Sequence, residues 1–370
     1  MSARFLTVVL ERAFNMRDGF GREIDYMRIS VIDSCNLNCY YCNPCDNNEH
    51  CHALNILSVK EVLGIVRAAT RLGIKHFRLT GGEPLLHPQL DEMVLQIKKI
   101  PGVSSVSLTT NAVLLVQHAK WLKEAGIDSI NVSLDTIDAS EYERITKKPL
   151  LEEVKHGINA AIECGIRVKI NVVLTPQTDV VALTRYVAKK GTDIRFIEMM
   201  PVGEGHTNGV EPYKKVIGTL SKLYGEPCRI NTEKTKEINS GNDKRKIPDN
   251  GPAEYYIFPE LGIRVGLIQA IHGKFCDTCN RIRVTADGRL MPCLGSSVTM
   301  DLVPDSCEFT DDLEKDFVIV QALKAAIKAK PGCHNFNDNA VTYTKTTETK
   351  TTEIEAAEVN AARNMSRIGG

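Results

Sequence analysis

The chain has 370 residues, and 46 Lys and Arg balance 46 Asp and Glu, so its formal net charge is zero. That balance excludes a general nucleic-acid or membrane-surface binder, while 43% hydrophobic and 25% charged residues suit an ordinary globular enzyme of one large or two smaller domains. The apolar run at 5–10 is too short for a secretory core and leads into Glu11 and Arg12. No run reaches the roughly 18 apolar residues of a membrane span, so a cytoplasmic protein is expected.

Taken in chain order, residues 26–33 (YMRISVID) read as a strand, 58–73 as a helix opened by a capping serine and closed by glycine, and 76–80 as a second strand. The alternation continues, with strands expected at 105–110, 129–135, 167–175 and 194–199 and helices at 89–99, 116–126, 151–165 and 179–190. Six strands alternating with helices at roughly 30 residues per repeat predict an α/β fold, a partial (β/α)6 TIM-type barrel over residues 1–230. In such a barrel the strand ends are expected to hold the active site. Residues 231–252, rich in Lys, Asn, Gly and Pro, read as a surface loop or boundary. Short strand-like runs (EYYIF, GIRVGLI, RIRVTA, RLMPCL) and a helix near 311–330 predict a smaller C-terminal α+β domain over 251–336. Residues 337–370 contain a Thr, Glu and Lys tract with little to bury and read as a flexible tail ending in Gly369 and Gly370. A flexible chain of that length spans roughly 30 Å, enough to cross a domain.

Six of the twelve cysteines fall in two triplets. Cys35, Cys39 and Cys42 form a C-x3-C-x2-C run directly after the first strand, and Cys276, Cys279 and Cys293 form the second group. Zinc sites favour paired C-x2-C motifs, whereas each group here offers three thiolates and no matched pair. A cubane iron–sulfur cluster normally takes four thiolates, so three leave one iron open to a substrate or cofactor. The spacing therefore favours catalysis over electron storage. Gly81-Gly82-Glu83-Pro84 follows the second strand, where backbone lacking Cβ permits close approach to a ligand. Beside the second triplet, Arg281 and Arg283 flank Ile282, so on a strand both guanidiniums point the same way and form a fork for phosphate.

The Cys35 triplet and the Gly81 to Pro84 loop together resemble the radical S-adenosylmethionine (SAM) superfamily. The resemblance sharpens to its GTP 3',8-cyclase branch through Gly21-Arg22, Arg28-Ile29-Ser30-Val31, Arg78-Leu79-Thr80, Thr109-Thr110-Asn111 and Asn131 to Asp135. It extends through Val168 to Val173, Met199 to Gly203, the second triplet with Asn280, Arg281 and Arg283, then Lys330-Pro331 with His334 and Phe336, and the terminal Gly-Gly. It implies two [4Fe-4S] clusters on the two triplets and S-adenosyl-L-methionine at Tyr41, Gly82, Ser133 and Met200. It further implies GTP at Arg28, Arg78, Thr109, Lys169, Arg281, Ile282 and Arg283, with the second cluster's open iron on the guanine base. Arg367, Gly369 and Gly370 of the tail are implied to enter the site.

The reaction so implied is the first step of molybdenum cofactor biosynthesis. Hydrogen abstraction from ribose C3' of GTP is followed by closure onto guanine C8, giving 3',8-cyclo-7,8-dihydro-GTP. Its partners would be an electron donor and, downstream, cyclic pyranopterin monophosphate synthase, with a homodimer left open. Two alternatives remain. One is a radical SAM peptide-modifying enzyme with an auxiliary cluster, against which the Arg281 and Arg283 fork argues. The other is an iron–sulfur sensor or electron carrier, against which the Gly81 to Pro84 loop argues. Cys45 and Cys51 depart from the family pattern, and Cys45 is expected to be a bystander thiol. Cys164, Cys228, Cys307 and Cys333 follow no pattern and are expected to be free thiols.

Overall fold

Alternation of apolar and polar residues along each strand dictates the architecture. A computed structural model describes residues 16–42, 55–202, 205, 209–230, 251–296, 298–303, 312–334 and 336. Cys45, Cys51, Cys307, the polar stretch 231–250 and the tail with Arg367, Gly369 and Gly370 lie outside those residues.

Six parallel strands in sequential order form the centre: β1 (Tyr26–Ser30), β2 (His76–Thr80), β3 (Ser105–Thr110), β4 (Ser129–Ser133), β5 (Val168–Val173) and β6 (Asp193–Ile197). Met27, Ile29, Phe77, Leu79, Val106, Leu108, Ile130, Val132, Ile170, Val172, Ile194 and Phe196 are buried on the helix-covered face. The intervening Tyr26, Arg28, Arg78, Thr109, Asn131, Lys169, Asn171 and Arg195 alternate with them and so face the inside of the curled sheet. A barrel interior is ordinarily filled by branched apolar side chains. This one is polar.

The covering helices are α1 (Val59–Arg71), α2 (Leu90–Lys98), α3 (Leu115–Glu124), α4 (Ala139–Thr146), α5 (Leu151–Glu163) and α6 (Val180–Lys189). Ser58 and Glu61 complete a capping box on α1, and Asp179 caps α6, as the sequence leads one to expect. Helix α4 was not anticipated, because its sequence ASEYERIT is mostly polar. Asp138 caps it, Tyr142 and Ile145 bury its one apolar stripe, and Lys147 ends it in the left-handed region at φ 60°.

The remaining strands are β7 (Cys228–Arg229), β8 (Glu254–Ile257), β9 (Arg264–Ile268), β10 (Arg281–Val284), β11 (Arg289–Met291) and β12 (Met300–Asp301). They join both edges of the same sheet, in the order β12-β11-β10-β1-β2-β3-β4-β5-β6-β9-β8-β7. Strand β10 runs parallel to β1 and β9 parallel to β6, so the C-terminal region extends the barrel wall on either side of its gap. After α7 (Gly218–Tyr224), the last helix among the described residues, α8 (Asp312–Lys328), lies on α1, where Asp316 pairs with Arg67 and Arg71 at 3.3 Å.

Candidate active site

The two cysteine triplets stand at opposite ends of the barrel strands. Cys35, Cys39 and Cys42 follow the C-terminal end of β1, whereas Cys276 and Cys279 precede β10, which is parallel to β1. Residues 28, 78, 281 and 283 therefore lie along the interior between the triplets, instead of at the strand ends where a barrel enzyme is expected to keep its site.

At the first end, the backbone itself requires the two glycines. A Cβ on Gly81 would stand 2.2 Å from the carbonyl oxygen of Ile32, and one on Gly82 would stand 2.1 Å from that of Ser34. The amides of Gly82 and Glu83 donate to Ile32 O at 2.7 Å and Ser34 O at 2.8 Å, which fixes the entry to the cysteine loop. The Glu83 carboxylate is a hub: it accepts from Leu85 N at 3.0 Å, Thr110 Oγ1 at 2.7 Å and Asn111 N at 2.7 Å. Burial raises it to about 7 against the pull of those donors. Asn111 Nδ2 in turn donates to Asn36 at 2.7 Å and approaches Cys35 Sγ at 3.8 Å. Beside Cys39 a cleft is lined by Tyr41, Asn111, Ser133 and Asp135, so two of the residues expected to hold SAM share one wall. Tyr41 donates its hydroxyl to Asp135 at 2.5 Å, and burial pushes the Asp135 carboxyl up to about 6. Gly82 borders the same loop, while Met200 packs against the apolar group of Val202, Ala270, Met291 and Phe336.

Burial, then neighbouring thiolates and carboxylates, raise the three thiols of this triplet. Cys35 moves to about 11, Cys42 to about 12, and Cys39 well above its ordinary value. The charges acting on them are one another, Glu83 and Asp135, all anionic. Among the described residues no cation acts on these thiols, and positive charge is what the irons of a cluster would supply to its deprotonated sulfurs. In that respect the donor set suits a cluster. Among the described residues no three His, Cys, Asp or Glu side chains meet closely enough for a single metal ion.

Inside the barrel the electrostatics reverse. Arg283, Arg28 and Arg78 are direct cross-strand partners on β10, β1 and β2, a row of three guanidiniums at one level of a parallel sheet. Neighbouring strands lie about 4.8 Å apart, and like charges opposite one another are destabilising. Burial, then Arg283 and Arg78, hold Arg28 well below its usual range, and burial with Arg281 brings Arg283 to about 10. One level along, Tyr26 pairs with Arg281 and accepts from Arg78 Nε. Burial favours the neutral phenol, yet Arg78 and Arg28 outweigh it and lower its pKa. Thr109 accepts from Arg78 Nη1 at 3.4 Å. Lys169 is buried on β5 across the sheet with Nζ 5.8 Å from the Tyr255 ring, and Ile282 faces the core.

Arg195 was missed by the sequence reading. It is 4% exposed on β6, its Nε and Nη2 have no hydrogen bond among the described residues, and it acts electrostatically on Arg281. The Oδ1 atoms of Asn131 and Asn171 are likewise buried without a partner, and Asn171 is the register neighbour of Arg195. Gly266 makes the room, because a Cβ there would meet Arg195 at 2.8 Å and Tyr255 at 2.9 Å. The signal available in sequence was a charged residue standing between Ile194 and Phe196 within a strand pattern. Buried cations and unmet polar atoms around one space call for an anionic, hydrogen-bonding ligand.

At the second end, Lys330 donates to the carbonyl oxygens of Arg281 and Pro292, both at 2.9 Å, and His334 bonds Ala270 O at 2.6 Å. Burial raises Cys276, whereas Lys330 and Arg281 overcome burial at Cys279 and lower it. Arg22, itself held by Asp18 at 2.6 Å, donates to Cys276 O and to the carbonyls of Pro331 and Gly332.

Two family models divide the chain: the Radical SAM superfamily matches residues 29–182, and Molybdenum Cofactor Synthesis C matches residues 192–336. A GTP 3',8-cyclase from Clostridium perfringens (strain SM101 / Type A) is 36% identical over 324 residues, spanning 87% of this chain and 95% of the relative. A GTP 3',8-cyclase from Listeria monocytogenes serovar 1/2a is 36% identical over 323 residues, with 86% and 92% covered. Among solved structures, Streptococcus suis SuiB shares the fold at a TM-score of 0.53 and 15% identity, over 80% of this chain and 65% of that one.

Proposed function

Since the chain belongs to the GTP 3',8-cyclase family of the radical SAM superfamily, we propose that its barrel holds GTP between the two cysteine triplets. The activity is conversion of GTP to 3',8-cyclo-7,8-dihydro-GTP, the first step of molybdenum cofactor biosynthesis, with SAM and a [4Fe-4S] cluster as cofactors. Cys35, Cys39 and Cys42 hold that cluster, and Tyr41, Gly82, Ser133 and Met200 hold SAM. Together these cofactors supply a 5'-deoxyadenosyl radical when bound.

The protein's share is placement and exclusion of water. Arg28, Arg78, Arg281 and Arg283 bind the triphosphate with Thr109 and Lys169, and Arg195 adds a seventh contact. Ile282 keeps the fork rigid by anchoring its strand in the core. Cys276, Cys279 and Cys293 carry a second [4Fe-4S] cluster that binds the guanine. The row Arg283, Arg28, Arg78 carries this reading, since three buried guanidiniums in register repel one another and an anionic ligand between them would relieve that repulsion. An electron donor and cyclic pyranopterin monophosphate synthase complete the reading as partners.

Anaerobic incubation of cluster-loaded protein with SAM, dithionite and GTP, followed by liquid chromatography and mass spectrometry, tests it. We expect 5'-deoxyadenosine together with an isomer of GTP. Deoxyadenosine alone would redirect the radical chemistry to a different substrate. Removal of Gly369 and Gly370 should leave deoxyadenosine formation intact and suppress cyclisation at least tenfold. An unimpaired truncation would dismiss the tail from the site.

A further inference from the structure

The interior residues of the sheet climb in three levels toward the first triplet. Arg283, Arg28 and Arg78 share the lowest with Ser107, and Thr109, Asn131 and Lys169 share the next, two residues further along β3 and β4. Ser133, Asn171 and Arg195 share the third, with Gly266 beyond them. Asn171 thus stands between a residue that holds SAM in the proposed function and the arginine that adds a contact to GTP. Its Oδ1 is buried and has no hydrogen-bond partner among the described residues, and neither have Nε and Nη2 of Arg195 beside it. A buried acceptor left without a donor is costly, so its donor is to be sought in the ligand.

GTP offers few donors. Its phosphate oxygens and most ring atoms accept, which leaves the two ribose hydroxyls and the N1–H and 2-amino group of guanine. The base lies at the other end in the proposed function, at the second triplet, so the ribose hydroxyls remain for the third level. Asn131, whose Oδ1 is likewise unmet, lies one level lower between Thr109 and Lys169, and of the two asparagines Asn171 is the one level with Ser133.

We propose that Asn171 Oδ1 accepts a hydrogen bond from the 3'-hydroxyl of the GTP ribose, the hydroxyl on the carbon that loses its hydrogen. The inference rests on the proposed placement of GTP and names a contact that positions its reacting carbon. In the step itself the C3'–H bond breaks homolytically, the hydrogen atom passes to the 5' carbon of the deoxyadenosyl radical, and the hydroxyl proton stays on O3'. A neutral amide therefore suffices. An acceptor on that hydroxyl pushes oxygen electron density toward C3', which eases loss of the hydrogen atom, and holds the ribose in the geometry of attack.

The test measures the Kd of GTP, 3'-deoxy-GTP and 2'-deoxy-GTP by anaerobic equilibrium dialysis, on cluster-loaded wild type and on Asn171→Ala of equal iron content and intact circular dichroism. Wild type should bind 3'-deoxy-GTP about tenfold more weakly than GTP, the scale of one buried acceptor left unmet. In Asn171→Ala that difference should vanish, while any penalty for 2'-deoxy-GTP stays as in wild type. A residue with a purely structural role would weaken all three nucleotides alike. Wild type that binds GTP and 3'-deoxy-GTP equally overturns the proposal whether or not the variant folds, as does a variant that keeps the discrimination. A wild-type penalty confined to 2'-deoxy-GTP also overturns it. Failure of wild type to bind GTP at all would bring down the GTP reading itself, and the contact with it.

Discussion

The two ends of the barrel present three thiols each, in opposite surroundings. At the C-terminal end of the strands, Cys35, Cys39 and Cys42 sense one another, Glu83 and Asp135, and all three are raised. At the other end, Lys330 and Arg281 lower Cys279, and three further arginines line the way between. A similar donor set thus stands in two opposite electrostatic settings. The anionic end suits a cationic sulfonium cofactor beside iron, and the cationic end suits a nucleotide triphosphate.

Breaking the first end should have the largest effect. Cys35→Ser should abolish 5'-deoxyadenosine formation, a loss beyond 100-fold since no thiolate remains to complete the loop, while GTP still binds. Retained SAM cleavage would remove the first triplet from the chemistry. Breaking the other end, Arg28→Ala should weaken GTP binding by about 100-fold, the scale of losing one partner from a desolvated charge pair. The same variant should leave the GTP-free protein about 1 kcal/mol more stable, because it relieves repulsion from Arg283 and Arg78. Calorimetry and a urea titration measure both, and a destabilised apoprotein would show that the row is not under repulsion.

The carboxylate hub at the first end sharpens the comparison through pH. Glu83 stands near 7 in the folded chain against an ordinary 4.5, so the folded state binds the extra proton. Its contribution is present in full below about pH 4.5 and is lost as pH rises through about 7, a change of order 3 kcal/mol. Urea midpoints of the apoprotein should fall over that window, and Glu83→Gln should flatten the fall, leaving the smaller slope of Asp135, which is pushed up to about 6. An equal slope in the variant would assign the titration elsewhere. A smaller effect is expected for Gly82→Ala. Its new methyl meets Ser34 O and should cost about 2 kcal/mol and lower iron retention at the first triplet, measured by iron content after gel filtration.

Much of this was legible in the sequence. The six central strands follow from β-branched runs, and β2 and β3 match their expected bounds of 76–80 and 105–110. The cysteine triplets and the Arg281 and Arg283 fork are local patterns, readable because their spacing alone defines them. Register was not readable. That Arg28, Arg78 and Arg283 form one row depends on β10 pairing parallel with β1 from more than 250 residues away, which no local period encodes. Arg195 was hidden for the same reason, since only the curled sheet turns it inward. Gly81 and Gly82 were read as making room for a ligand, whereas the backbone of 32–34 already demands both. Helix α4 escaped because capping by Asp138, more than apolar periodicity, defines it.

The central claim is that GTP lies between the two ends, with its ribose within reach of the radical made at the first. The most direct test is a single turnover with GTP carrying deuterium at ribose C3', with mass analysis of the 5'-deoxyadenosine formed. The account predicts one deuterium in the deoxyadenosine, together with a cyclised product that has lost it. Deoxyadenosine without deuterium, formed while GTP is bound, would contradict that placement.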